Sequence, residues 1–198
     1  MERILLIICA FFLTGCVSIS PQQRLVLKAN WALTQTDYPQ AMKIYEAALT
    51  EAKANNDKQY QAIAMYGLGR ANGYLCNYEK AEEWFLKSIT LRETIPDSRD
   101  AYLSQNLLEL ARLYKSAGQY NKANTQFEKA VPLLENLNIE RSDPIGYAKV
   151  LEDYVFTLEK SGSIAKSEEW KNQIKKLKNK YPNKQPYFIA QQYPSNCK

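Results

Sequence analysis

Apolar residues recur along this chain every three or four positions, in segments separated by short polar turns, the pattern of amphipathic helices. The clearest segment is Leu107-Leu108-Glu109-Leu110-Ala111-Arg112-Leu113-Tyr114, which breaks at Gly118-Gln119-Tyr120 and resumes at Ala123, Phe127 and Ala130. The small residues Ala41, Ala81, Ala123 and Ser167 are 40, 42 and 44 positions apart, so the pattern repeats with a period of some forty residues. A small residue belongs where two antiparallel helices approach most closely. The rings of Tyr45, Phe85 and Phe127, each four positions after an alanine, lie on the same helical face and fill the space between units. Asp97-Ser98 and Ser142-Asp143-Pro144 predict helix starts, and Pro132 predicts a kink or an early end. Near the C-terminus Trp170, Ile174, Leu177 and Tyr181 form one apolar stripe flanked by Lys171, Lys175, Lys176, Lys178 and Lys180, which predicts a helix that caps the array. Pro182 and the Gln-, Asn- and Pro-rich residues after it predict an irregular tail. β-branched residues never alternate as a strand requires, and Ala, Leu, Lys, Glu and Gln dominate, so the fold class is all-α.

The segment over 107–130 closely resembles the tetratricopeptide repeat, which has a large residue, Leu, a small residue and Tyr on its first helix, Gly-x-Tyr at the turn, and Ala, Phe, Ala on its second. The preceding unit offers Met65, Leu68, Gly69, Tyr78, Ala81, Phe85 and Ser88, with Asn72 in place of the tyrosine and Cys76 in place of the turn glycine. Leu25, Ala29, Tyr38, Ala41, Tyr45 and Ala48 make a looser first unit, and Leu151, Tyr154, Leu158, Gly162, Ile164 and Ser167 a degenerate fourth. The length is similar to the long repeats of kinesin light chain-like proteins, and the resemblance covers about 25–180. It implies a superhelical solenoid of about four helix pairs with a C-terminal capping helix and a concave surface lined by first helices. The family's groove positions fall here on Asn30, Tyr66, Arg70, Tyr74, Gln105, Arg112, Lys115, Lys149 and Phe156, and a partner segment with acidic or C-terminal carboxylate groups is expected against them. For any one of these residues, a merely solvated side chain is an equal reading.

The apolar run over 4–13 is too short to cross a bilayer as a helix but suits the centre of a signal peptide. It ends in Leu13-Thr14-Gly15-Cys16, which resembles the lipobox of bacterial lipoproteins, in which the cysteine is acylated and becomes the mature N-terminus. The alternatives are an ordinary secretory signal or a buried strand. The resemblance implies lipidation at Cys16, and in Gram-negative sorting Val17 in place of aspartate implies the outer membrane, facing the periplasm. The expected organisation is a signal peptide over 1–15, a tether over 16–23, a helical domain over 24–181 and the tail over 182–198.

Composition narrows the chemistry. Histidine is absent, which removes the usual general base and the commonest metal ligand, and no metal or cofactor is expected. Ser163-Ile164-Ala165-Lys166 matches Ser-x-x-Lys but lacks the companion motifs of the penicillin-binding enzymes, and Glu82-Glu83 and Glu168-Glu169 read as solvated rims. No catalytic residue is assigned. The +5 net charge sits at the C-terminal end, so nucleic-acid binding is not implied. Cys76 and Cys197 lack metal or redox spacing and are expected to be separate thiols, because sequence does not bring their Cα atoms within ~7 Å. The function expected is a lipid-anchored, non-catalytic adaptor for envelope proteins that assists assembly of an envelope machine such as a pilus, secretin, outer-membrane or peptidoglycan-associated apparatus. The alternatives are a structural component of a secretion or conjugation apparatus, or a lipoprotein whose Lys-rich terminal helix binds anionic lipid or glycan.

Overall fold

The computed structural model describes residues 19–96, 99–187 and 190–197. They form nine helices: α1 (Pro21–Thr34), α2 (Tyr38–Ala54), α3 (Lys58–Tyr74), α4 (Tyr78–Glu93), α5 (Arg99–Ser116), α6 (Tyr120–Asn136), the single turn α7 (Ile139–Ser142), α8 (Pro144–Lys160) and α9 (Ile164–Lys180). Asp37, Asp57 and Asp143 accept the N–H groups of Gln40, Tyr60 and Gly146, which caps α2, α3 and α8 at their N-termini. Pro144 occupies the first turn of α8, as the sequence requires. Asp97 and Ser98 lie outside the described residues. Pro132 does not end α6, which continues past it to Asn136.

The turns share one device. Thr36, Asn56, Cys76, Gly118 and Gly162 each take a left-handed conformation just past a helix, and the next residue donates back into the last turn, as Asn77 N–H does to Asn72 O at 2.9 Å. Cys76 therefore stands where a glycine is easiest to accommodate, as the repeat pattern expects. Such turns fold α1 on α2, α3 on α4, α5 on α6 and α8 on α9, and successive pairs stack. The result is an all-α solenoid of four pairs. The stripe centred on Ile174 and Leu177 is buried against α8, so α9 is both the second helix of the fourth pair and the terminal helix.

Ala41, Ala81, Ala123 and Ser167 are fully buried, and Tyr45, Phe85 and Phe127 are at most 1% exposed. The Phe85 ring presses on α3 so closely that a Cβ at Gly69 would lie 2.7 Å from it. Ser88 and Ser167 satisfy their hydroxyls on Ala62 O and Ile164 O, both at 2.8 Å, and so serve as small core residues. Among the described residues no helix is long and apolar enough to cross a membrane.

Candidate functional site

First helices α1, α3, α5 and α8 line one face of the solenoid and enclose two connected hollows, of about 260 Å³ between α1, α3 and α5, and about 410 Å³ between α5 and α8. The centre of this groove is a charge network. Glu109, buried on α5, lies 3.1 Å from Arg112 and 3.9 Å from Arg70. Asp153 on α8 accepts from Arg112 Nε at 3.2 Å and from Lys115 Nζ at 2.5 Å. Burial alone would lower the pKa of Arg112, but the Glu109 and Asp153 carboxylates override it and the net direction is upward. The Tyr66 hydroxyl is pushed up by burial first, with Glu109 adding to the shift.

The anticipated groove residues divide into two groups. Tyr66, Arg70, Tyr74, Arg112 and Lys115 converge on this network. Arg70 lies against the rings of Tyr66 and Tyr74, 5.8 and 5.9 Å from their centroids, and Lys115 sits over Phe156 at 5.5 Å. Asn30, Gln105, Lys149 and Phe156 remain exposed along the groove, although Asn30 Oδ1 already accepts from the Tyr45 hydroxyl at 2.5 Å. Cys16 lies outside the described residues.

The groove is not empty: the C-terminal tail folds back into it. Tyr193, 3% exposed, stacks on Tyr74 with centroids 4.8 Å apart, while Tyr38 covers the other face of Tyr74, also at 4.8 Å. The Tyr193 hydroxyl donates to Glu109 at 2.5 Å, and its pKa is pushed well above the ordinary phenol range by burial first and by that carboxylate second. Its ring fits because residue 73 is glycine, where a Cβ would lie 2.6 Å from the ring. The tail backbone is held as well: Ser116 Oγ donates to Tyr193 O at 3.2 Å, Tyr74 to Gln191 O at 3.5 Å, and Tyr78 to Pro194 O.

Cys197 ends this strap in a disulfide with Cys76, their Cα atoms 5.3 Å apart. The expectation of two separate thiols is therefore corrected. The helix-turn position of Cys76 and the docking of Tyr193 bring together residues 121 positions apart. Glu109, Asp153 and Tyr193 were not anticipated as groove residues. The i, i+3 spacing of Glu109 and Arg112 was a usable signal for one of them; nothing in the sequence marked Tyr193.

Stacked antiparallel pairs with a small–aromatic register and a first-helix groove meet a direct sequence match: the tetratricopeptide repeat family model fits residues 25–94 and 74–136, more than half of the chain. The chain belongs to the tetratricopeptide repeat family. A search of curated proteins found no relative that matches it. Among solved structures, BtubC (BKLC) from P. vanneervenii is similar in fold, at TM-score 0.74 and 18% identity over 86% of this chain and 68% of that one. The nearly identical TPR-like repeats of a Podosopora anserina kinesin-light-chain candidate superpose at TM-score 0.65 and 16% identity, over 86% and 81% of the two chains. The Rap conjugation gene regulator of plasmid pLS20, solved in complex with the Phr* peptide, shares the fold at TM-score 0.60 and 13% identity, over 78% of this chain and 42% of that one.

Tetratricopeptide repeat proteins are in general scaffolds for protein–protein interaction rather than catalysts, because each repeat contributes surface and none carries chemistry. Among the described residues no group of three His, Cys, Asp or Glu side chains is placed to hold a metal ion. Both carboxylates at the centre of this groove are engaged by arginine or lysine.

Proposed function

We propose that this tetratricopeptide repeat protein is a non-catalytic, lipid-anchored adaptor that docks other envelope proteins in its concave groove. The tail is the observation that carries this reading. An extended segment already lies in the groove, held through its main-chain carbonyls by Tyr74, Tyr78 and Ser116 and anchored by one inserted ring. Carbonyl contacts are indifferent to sequence, and side-chain pockets supply selectivity, which is how grooves of this kind accept extended peptides. Beyond the tail Gln105, Lys149 and Phe156 remain exposed for a partner. The peptide complex of the Rap regulator, whose fold this chain shares, supports the same reading.

Export and anchoring rest on the lipobox-like Leu13-Thr14-Gly15-Cys16 and are supported by the Cys76–Cys197 disulfide, which suits an oxidising compartment such as the periplasm. With Cys16 acylated and α1 beginning at Pro21, four residues separate anchor and solenoid, a reach of roughly 18 Å. The groove then stays close to the bilayer, which raises its effective concentration towards membrane-resident partners. Val17 after the cysteine favours the outer membrane, facing the periplasm.

A photo-crosslinking amino acid placed in cells at Gln105 or Lys149, with Lys129 on the opposite face as control, tests the docking surface. Adducts confined to the two groove positions are expected, and equal labelling at Lys129 would overturn the groove reading. Fractionation of Cys16→Ser tests the anchor: the variant should leave the membrane fraction, and unchanged sedimentation would remove lipidation at Cys16 from the account.

A further inference from the structure

The hollow between α1, α3 and α5 is separate from the tail and has an unusual floor. Arg92, from the last turn of α4, is 1% exposed and borders it. Its guanidinium stacks on the Tyr102 ring, 4.2 Å from the centroid, and Nη1 donates to the neutral Gln59 Oε1 at 3.3 Å. Nε has no hydrogen-bond partner, and among the described residues no carboxylate pairs with this arginine. Arg70 and Arg112 are the contrasting cases, both answered by carboxylates of the groove itself. Asn106, 2% exposed, borders the same hollow: its Nδ2 donates to Tyr102 O at 2.8 Å, but its Oδ1 is unpartnered. Leu27 supplies an apolar rim and is 53% exposed.

A buried cation without a counter-charge loses its hydration and gains nothing in return, and a low-dielectric surrounding magnifies the attraction of any anion brought beside it. Burial already lowers the pKa of Arg92. A ligand that satisfies this floor brings a carboxylate to the guanidinium, an N–H to Asn106 Oδ1 and an apolar group to Leu27. An acidic residue within an extended peptide, flanked by apolar residues, brings all three.

We propose that the hollow above Arg92 is a carboxylate-binding subsite that selects partner segments carrying an acidic group beside apolar residues. The subsite rests on the groove's role as a protein-docking surface and gives it a charge preference. It also relocates the recognition of acidic segments from Arg70 and Arg112, whose charges are answered within the chain, to Arg92.

The test uses the full mature chain and three probes: N-acetyl-Leu-Glu-Leu-amide, the matching Gln amide, and the Gln peptide with a free C-terminal carboxylate. The readout is the Arg92 Nε–H resonance in a nitrogen-15 correlation spectrum. The Glu probe should shift it saturably and bind at least about tenfold more tightly than the Gln amide. The same preference shown by the free-carboxylate probe would place a chain terminus, rather than an acidic side chain, in the hollow. In Arg92→Met, which removes an unanswered buried charge and should keep or raise the melting temperature, the Glu preference should vanish. Equal binding of Glu and Gln amides to the wild type, or no saturable shift with any carboxylate probe up to ~10 mM, overturns the proposal without recourse to the variant. If groove cross-links at Gln105 persist alongside that result, docking stands and only the acidic preference falls; if they are lost too, docking falls with it.

Discussion

Replacing Tyr193 with alanine should free the tail, and the Cys76–Cys197 disulfide provides the gauge. The substitution removes a ring packed on Gly73, Leu113 and Tyr74, and a hydroxyl bonded to a buried carboxylate. Burial of such a ring contributes about 3 kcal/mol, and a hydrogen bond to a charged group about 1.5–3 kcal/mol. The tail can detach without unfolding the solenoid, so the loss reaches no further than the docking free energy; ~3 kcal/mol is a conservative figure. Docking and disulfide formation favour the same arrangement and are therefore reciprocally coupled. Titration of the full chain through a series of thiol–disulfide buffers, with free thiols counted by alkylation and mass spectrometry, measures the equilibrium constant for closing the bridge. Tyr193→Ala should lower that constant roughly 150-fold, the equivalent of ~3 kcal/mol. Tyr193→Phe keeps the ring and should lower it about tenfold through the lost hydroxyl alone. An unchanged constant in Tyr193→Ala would show that the ring does not hold the tail in the groove.

Other perturbations separate core, network and pH effects. Ala81→Leu, at the fully buried contact between α3 and α4, should lower the free energy of urea unfolding by about 1–3 kcal/mol through overpacking; an unchanged midpoint would contradict the packing. Glu109→Leu strips Arg70 and Arg112 of a shared carboxylate and should cost about 3 kcal/mol in the same assay, whereas Lys87→Ala, which breaks a half-exposed pair with Glu83, should cost less than about 0.5 kcal/mol. Burial raises the phenols of Tyr45, to about 12, and of Tyr193. Because the unfolded chain gives up these protons near pH ~10 while the folded chain retains them, stability is full below that pH and falls as pH rises beyond it. Urea midpoints followed from about pH 8 to 11 should decline at the upper end, and a flat profile would contradict the burial of these rings.

The fold was legible because its determinants are local and periodic. Ala41, Ala81 and Ala123, each with an aromatic ring four positions later, report a helix–helix contact directly, and the structure buries every one of them. Turn chemistry was legible to the same degree, down to Cys76 in a glycine-like position. The groove was legible only as a set of positions. Periodicity assigns Arg70 and Arg112 to one face, but which carboxylate answers them depends on Glu109 and on Asp153 from another repeat. The tail was illegible for a related reason: Tyr193 meets Gly73 through a long-range return of irregular chain, and no periodic signal links the two. Arg92 belongs to the same class, since its isolation follows from which neighbours stop short of it rather than from its own sequence context.

The groove's capacity to hold an extended polypeptide can be measured with the full-length Tyr193→Ala, Cys197→Ser chain, in which the native occupant is disabled, and a synthetic octapeptide of the sequence over 190–197 with its cysteine replaced by serine. Fluorescence anisotropy should show saturable binding of this peptide in trans, with marked weakening when the peptide's tyrosine is replaced by alanine. Equal binding of the two peptides, or binding by neither, would contradict the account.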